Sequence, residues 1–334
     1  MNGSETQGVS GTVMALGSGT AWQVVSPAAL EAPHLLAAVA VGSPGEVWVA
    51  GHARSRPLIA RWDGASWTTP PAPPPEPAHI GAGFQGIDAD PERAIAVGGA
   101  YDRVTAGEVP LIRHWNGASW QDHAPEETGY VLTDVALFPG AAWAVGHGLP
   151  WNVPGPVALH HSEGSWRLVP LPPVPKGRLL AVSGTAPDDV WAVGAADRGA
   201  LIMHYDGRAW TRVAAPSTRF PLTDVVALSP SDAWAVGRDR VLHWNGRKWS
   251  RTRTPVTSAN TITARAADDI WVAGGHGELA HYDGTRWTLT DSPQGTTAVW
   301  LASASSGTTT WLTGSHQATR QTPTTPPQSI SAES

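Results

Sequence analysis

Four histidines each follow the last small residue of a short apolar run: Gly51-His52, Gly146-His147, Gly275-His276 and Ser315-His316. Imidazoles brought together at one point would suit Zn, Mn or Fe and leave positions open for water or substrate. Asp134 and Asp224 lie in matching Leu-Thr-Asp-Val segments. Beside such a metal, a carboxylate would serve as general base or further ligand in a metal-assisted lyase or hydrolase. Gln85 falls near the same place in its own segment, and Arg178, Arg238 and Arg240 would offset buried negative charge or grip a ligand. Tyr101 and Trp151 stand in two long loops and would stack on a sugar, an aglycone or a peptide side chain. Other chemistry is missing. No cysteine exists for thiolate or disulfide, and no phosphate-cradling GxxxxGK[ST], dinucleotide GxGxxG after a strand, HExxH or GxSxG occurs.

The elements that must hold these side chains repeat. Trp48-VAG, Ile95-AVG, Trp143-AVG, Trp191-AVG, Trp234-AVG, Trp271-VAG and Trp311-LTG recur at spacings of 37 to 48 residues. A period of this size marks a repeat architecture. Around Trp191, LLAVSG (179–184) reads as a first buried strand and VWAVG (190–194) as a second. LIMHY (201–205) is a third, Asp206-Gly207 a two-residue hairpin turn of type I′, and RAWTRV (208–213) a fourth. Equivalent turns are expected at Asp63-Gly64, Asn116-Gly117, Glu163-Gly164, Asn245-Gly246 and Asp283-Gly284.

Four short antiparallel strands per repeat, seven times over, predict an all-β, seven-bladed β-propeller. The seventh repeat has no Gly-x-x-Trp after Trp311, but Gly19-Thr20-Ala21-Trp22 supplies one at the other end of the chain. Residues 20–25 are therefore expected to be the outer strand of blade seven, closing the ring and removing an exposed sheet edge. On this reading 1–18 is a disordered leader, 19–321 a single propeller and 322–334 a disordered tail. Most of the 18 tryptophans then become packing between blades.

The repeated D-[VA]-W-A-V-G resembles the bacterial seven-bladed propellers of the kelch and galactose-oxidase-like kind, particularly actinobacterial proteins. The D-G-x-x-W hairpin is similar to the Asp-box of sialidase propellers, without its Ser-x-Asp start. The likeness spans roughly residues 20–320 and implies architecture far more than activity. Galactose-oxidase chemistry is excluded, because no cysteine is available for a Cys-Tyr cofactor. Streptogramin-type lyases are seven-bladed propellers of similar size, which is a precedent at the level of fold only.

The two faces of the ring differ. Turns between first and second strands (SPGE, DPER, FPGA, APDD, SPSD, AADD) are short and alike, as are the Asp/Asn-Gly turns. Loops between second and third strands vary from GRDR (237–240) to GGAYDRVTAGEVP (98–110) and GHGLPWNVPGPV (146–157). Variable loops on a rigid scaffold are where binding residues usually lie. Five histidines (His114, His161, His204, His243 and His281) are assigned to one repeat position and hence to the scaffold.

Net charge is -6, with 22 basic and 28 acidic residues and no run of either sign, which argues against nucleic-acid and anionic-membrane partners. No signal-peptide pattern is seen, so a cytoplasmic monomer is expected. Two functions stay open. One is a propeller binding a small molecule or peptide over the funnel of the variable face. The other is a metal-dependent lyase or hydrolase with a histidine cluster on that face.

Overall fold

Seven four-stranded antiparallel sheets are arranged in a ring. This computed structural model describes residues 12–18, 21–25, 30, 34–54, 56–148, 155–197, 199–292 and 298–316, with His316 placed by its backbone alone. Blades one to six each run from the axis outward in chain order. The expected all-β, seven-bladed propeller is what the chain forms, with one three-residue 3-10 turn, Gly275–Gly277, beside the strands among the described residues.

The ring closes through blade seven, and there the structure adds to the sequence reading. Ala298–Ser306 and Thr309–His316 are its inner strands, Thr12–Ser18 is the third, and Ala21–Val25 is the outermost. The N-terminal segment thus contributes two strands rather than one, and residues 12–18 are part of a sheet rather than a leader. Met14 pairs with Thr313 on one side and Val25 on the other. Residues 1–11 and the tail 322–334 lie outside the described residues.

Why the repeat carries its tryptophans is visible between blades. Trp48 packs edge-on against Trp120 of the next blade, with ring centroids 5.1 Å apart and planes at 87°. Trp143 meets Trp210 at 89°, Trp191 meets Trp249 at 89° and Trp234 meets Trp287 at 76°. Trp271 meets Trp22 at 77°, and Trp311 meets Trp67 at 86°. Second-strand and fourth-strand indoles of successive blades are therefore locked at six of the seven interfaces. Each such pair contributes about 0.5–1.5 kcal/mol beyond area burial. Trp22 takes the fourth-strand place of blade seven, which is the packing reason that closure occurs there.

The glycine ending each second-strand motif has an equally specific cause. The innermost strand carries a register shift near its start, for example between Leu132 and Asp134 and between Leu179 and Ala181. The start of the strand presses a backbone carbonyl against the glycine. Leu35, Gly83, Val131, Arg178, Pro221, Ser258 and Val299 supply this oxygen to Gly51, Gly98, Gly146, Gly194, Gly237, Gly274 and Gly314. A Cβ at any of the seven would overlap the oxygen.

The Asp/Asn-Gly turns differ from expectation. Trp62 pairs with Trp67, so the loop in blade one is the four residues 63–66 rather than two. Asp63 Oδ1 accepts from the N–H groups of Ala65 and Ser66 at 2.9 and 2.8 Å, and positive φ falls on Gly64 and not on Asp63. Asn116, Asp206, Asn245 and Asp283 cap their loops in the same way. Only Glu163-Gly164 has positive φ at both residues, flanked by the pair Ser162–Ser165. The short Asp or Asn side chain reaches the N–H groups two and three residues on and stabilises the longer loop.

Gly194→Ala is expected to cost about 3 kcal/mol or to prevent folding, as steric overlap with backbone at a buried site does. Urea denaturation measures this, and a loss below about 0.5 kcal/mol, usual for an open surface position, would contradict the close-approach argument.

Candidate functional site

The seven innermost strands line a central channel of about 440 Å³, mostly with alanine, valine and small hydroxyl side chains. Asp134 and Asp224 stand in its wall, Asp134 at the residue just after the bulge and Asp224 at the matching start of its strand, opposite Val145 and Val236, where blades one and four have Ala38 and Ala181. Gln85 also lines the channel, but the register makes Gly86 the equivalent of Asp134 and puts Gln85 one residue earlier, in the bulge.

Both predicted carboxylates are engaged with backbone. Asp134 accepts the N–H of Val135 at 2.9 Å and, across the blade boundary, that of Val182 at 2.8 Å. Asp224 accepts Val225 N–H at 2.8 Å, Ile262 N–H of the next blade at 2.9 Å and the Thr261 hydroxyl at 2.8 Å. Two residues missed in the sequence do the same one turn of the pleat lower. Asp88 takes Leu137 N–H at 2.8 Å, and Ser183 Oγ takes Ala227 N–H at 3.1 Å. Staples thus alternate in height from blade two to blade six, each satisfying an N–H that faces the neighbouring blade rather than a ladder partner. Burial pushes Asp88 and Asp224 up to about 6, against the opposing pull of these backbone donors. Burial also raises Asp134 well above the usual carboxylate range, with Asp224 and Asp88 adding to the effect.

The histidines divide into two groups. His204, His243 and His281 cross-pair with Trp191, Trp234 and Trp271, stack on them, and bond through Nε2 to Asp189, Asp232 and Asp269 at 2.7, 2.9 and 2.9 Å. Arg61, Glu46 and Trp48 form the same stack in blade one. Burial alone would raise Asp269, but hydrogen bonds from Arg265, His281 and Trp271 hold it below its ordinary value. The Asp-x-Trp spacing in blades four to six was the signal for this unit.

In blade three the register corrects the sequence reading. His160, not His161, pairs with and stacks on Trp143. His161 takes the aromatic place of Tyr205 and pairs with Trp166. Blade two breaks the unit further, with Arg93 in the acid position and Ile95 in the tryptophan position. Here Trp166 Nε1–H donates to His114 Nε2 at 3.0 Å, and His114 lies 4.2 Å from His123 and 4.9 Å from His161 between ring centroids. Burial, then His123, His161 and Arg93, pull His114 down to about 3.

Of the four histidines read as metal ligands, His52, His147 and His276 stand on blades one, three and six. The side chain of His316, at the end of a blade-seven strand, lies outside the described residues. Among the described residues no three His, Asp or Glu side chains gather as a metal-binding group. His52 lies against Gly83, and His276 is exposed at φ 57° between two buried glycines. His147 is half-buried, its Nδ1 lacks a partner, and burial followed by Arg178 lowers its pKa.

The variable face carries the predicted ligand residues. Tyr101 is 44% exposed on a sheet that runs past the blade-two rim, with Gly99–Asp102 paired to Gly107–Pro110. Its cross-strand neighbour Ile80 is 40% exposed and Val104, at the tip, 83%. The tip is rigid: Asp102 Oδ1 accepts Val104 and Thr105 N–H, and Arg103 N–H bonds Ala78 O. Trp151 lies outside the described residues. Arg178 and Arg238 are exposed at the mouth of the channel side of blades four and five, and Arg240 pairs with Asp239 at 3.1 Å.

No known protein-family profile and no curated protein matches this chain. Solved structures do. YCF48 bound to D1 peptide aligns at 15% identity and TM-score 0.61, over 86% of this chain and 91% of that one. Catalytically inactive virginiamycin B lyase from Staphylococcus aureus with quinupristin aligns at 12% identity and TM-score 0.66, over 90% and 99%. The WD40 β-propeller domain of Doa1 aligns at 10% identity and TM-score 0.61, over 85% and 94%. At these identities the likeness defines the seven-bladed propeller class and nothing finer. No helix among the described residues is long and apolar enough to cross a membrane.

Two outcomes follow. Asp134→Ala strands the inward N–H of Val182 and is expected to cost about 1–3 kcal/mol; an unchanged denaturation midpoint would contradict the staple. Because folding holds His114 neutral, its contribution is complete above its unfolded pKa near 6.5 and is lost as pH falls toward about 3. His114→Gln keeps an acceptor for Trp166, so its melting temperature should fall less than wild type between about pH 7 and about pH 5. An identical fall in both proteins would contradict this.

Proposed function

We propose that this protein is a partner-binding propeller that works through its variable-loop face. The observation that carries the reading is the blade-two extension, which holds Ile80, Tyr101 and Val104 in water on a braced hairpin. Exposed apolar side chains on rigid backbone lower the entropy cost of association, and fold stability gives no reason to build them. The opposite face has short turns, five of them capped by their own Asp or Asn. A propeller of the same fold, YCF48, is solved with a peptide bound, which supports a peptide or small molecule as the ligand here. Gln85, Arg178, Arg238 and Arg240 would line the path from that mouth into the channel. The protein would act as a monomer in the cytoplasm, without nucleic acid.

Photo-crosslinking in the native host tests this. A benzophenone residue at Val104 should yield discrete protein adducts, and the same residue at Ala118, on the capped-turn face, should yield none. Adducts from Ala118 alone, or from neither position, would overturn the assignment.

A further inference from the structure

Around the mouth of the channel, positive charge without a carboxylate partner collects over blades four and five. Arg178 begins the innermost strand of blade four and is exposed. It lies close enough to His147 of blade three to disfavour imidazolium there. Arg219 and Phe220 lead into the innermost strand of blade five, tied down by Leu222 N–H to Gly194 O at 3.1 Å. Arg238, at the end of the second strand of that blade, lays its guanidinium over Phe220 with Cζ 5.2 Å from the ring centroid. Its own carbonyl accepts Ala259 N–H from blade six at 3.1 Å, so the backbone beneath it is held on both sides.

On the opposite face the cations are mixed, with Arg208, Arg247 and Lys248 of the capped loops exposed and making no ion pair among the described residues. Arg61, Arg93, Arg265 and Arg286 each pair with a nearby Glu or Asp. At the mouth Arg178, Arg219 and Arg238 pair with none among the described residues. Arg240 has one carboxylate, Asp239, and a buried Nε without a partner. Arg238 lies over Phe220 and makes no ion pair among the described residues, so its N–H groups have no carboxylate partner. A guanidinium is a planar fork suited to a carboxylate.

We infer that this mouth recognises an acidic peptide segment of a protein partner, with Arg178 and Arg238 taking its carboxylates and the Ile80–Tyr101–Val104 ridge taking an adjacent apolar side chain. The inference rests on the partner-binding reading and adds the chemistry of the partner. A nucleic acid fits less well. Nucleic-acid charge runs continuously along the backbone and is met by a continuous basic track, whereas Arg178, Arg219 and Arg238 are separate points on two blades.

The test is fluorescence anisotropy with a fluorescein-labelled glutamate-rich peptide carrying one phenylalanine. Its lysine-for-glutamate copy and a single-stranded oligonucleotide serve as comparisons. The acidic peptide should bind wild type, weaken with rising salt, and bind at least about tenfold more weakly to Arg178→Ala/Arg238→Ala. Tyr101→Ala should weaken it as well. Neither arginine makes an ion pair, so the double variant is expected to melt as wild type does, which separates lost binding from lost fold. Equal binding of the lysine copy, tighter binding of the oligonucleotide, no binding of the acidic peptide, or unchanged affinity in the double variant would each overturn the inference. Should Val104 still crosslink a partner in that event, the binding face would stand and only the acidic chemistry would fall.

Discussion

The edge-on contact between a second-strand tryptophan and a fourth-strand tryptophan of the following blade is the constraint on which the ring depends. It recurs at six interfaces with centroid separations from 5.1 to 6.3 Å. It also decides where the N-terminal segment goes, because only Trp22 can meet Trp271. The exception, between blades two and three, is informative. There Ile95 replaces the indole, and a cluster of His114, His123 and His161 around Trp166 fills the space. Burial holds His114 neutral, so it packs there as an aromatic ring does and its contribution is lost as pH falls.

Inside the tryptophan ring the innermost strands are fixed twice over. The start of the innermost strand brings one carbonyl onto the second-strand glycine in every blade. Asp88, Asp134, Ser183 and Asp224 then reach across to N–H groups of the next blade. Side chains at these positions are committed to the scaffold, so variation is left to the segments before that carbonyl and after the glycine. Those segments surround the mouth of the channel. The free arginines and the blade-two ridge lie there for that reason.

Much of this was legible because a period survives substitution. The seven copies of the Trp/Ile-x-x-Gly motif, six of them with Trp, and the Gly-x-x-Trp missing after Trp311 led to the ring and to its closure by Trp22. What failed depended on a single residue of register or a single bond of side-chain length. His160-His161 offers two candidates for one place, and only strand pairing chooses. Asp and Asn have the reach to cap a four-residue loop, so Asp-Gly did not signal the two-residue turn that Glu163-Gly164 makes. Thr12–Ser18 carries neither motif, and its strand is apparent only from its partners. For the site, the sequence showed which face varies. It did not show whether His52, His147 and His276 meet, because convergence across blades is a property of the closed ring.

Hydrogen–deuterium exchange with and without the glutamate-rich peptide tests the division between a fixed scaffold and a binding mouth most directly. The account predicts slowed exchange in residues 99–107, 219–222 and 238–240, with the capped loops 63–66, 206–209 and 283–286 unchanged. Slowed exchange in those capped loops, with residues 219–222 and 238–240 unaffected, would contradict it.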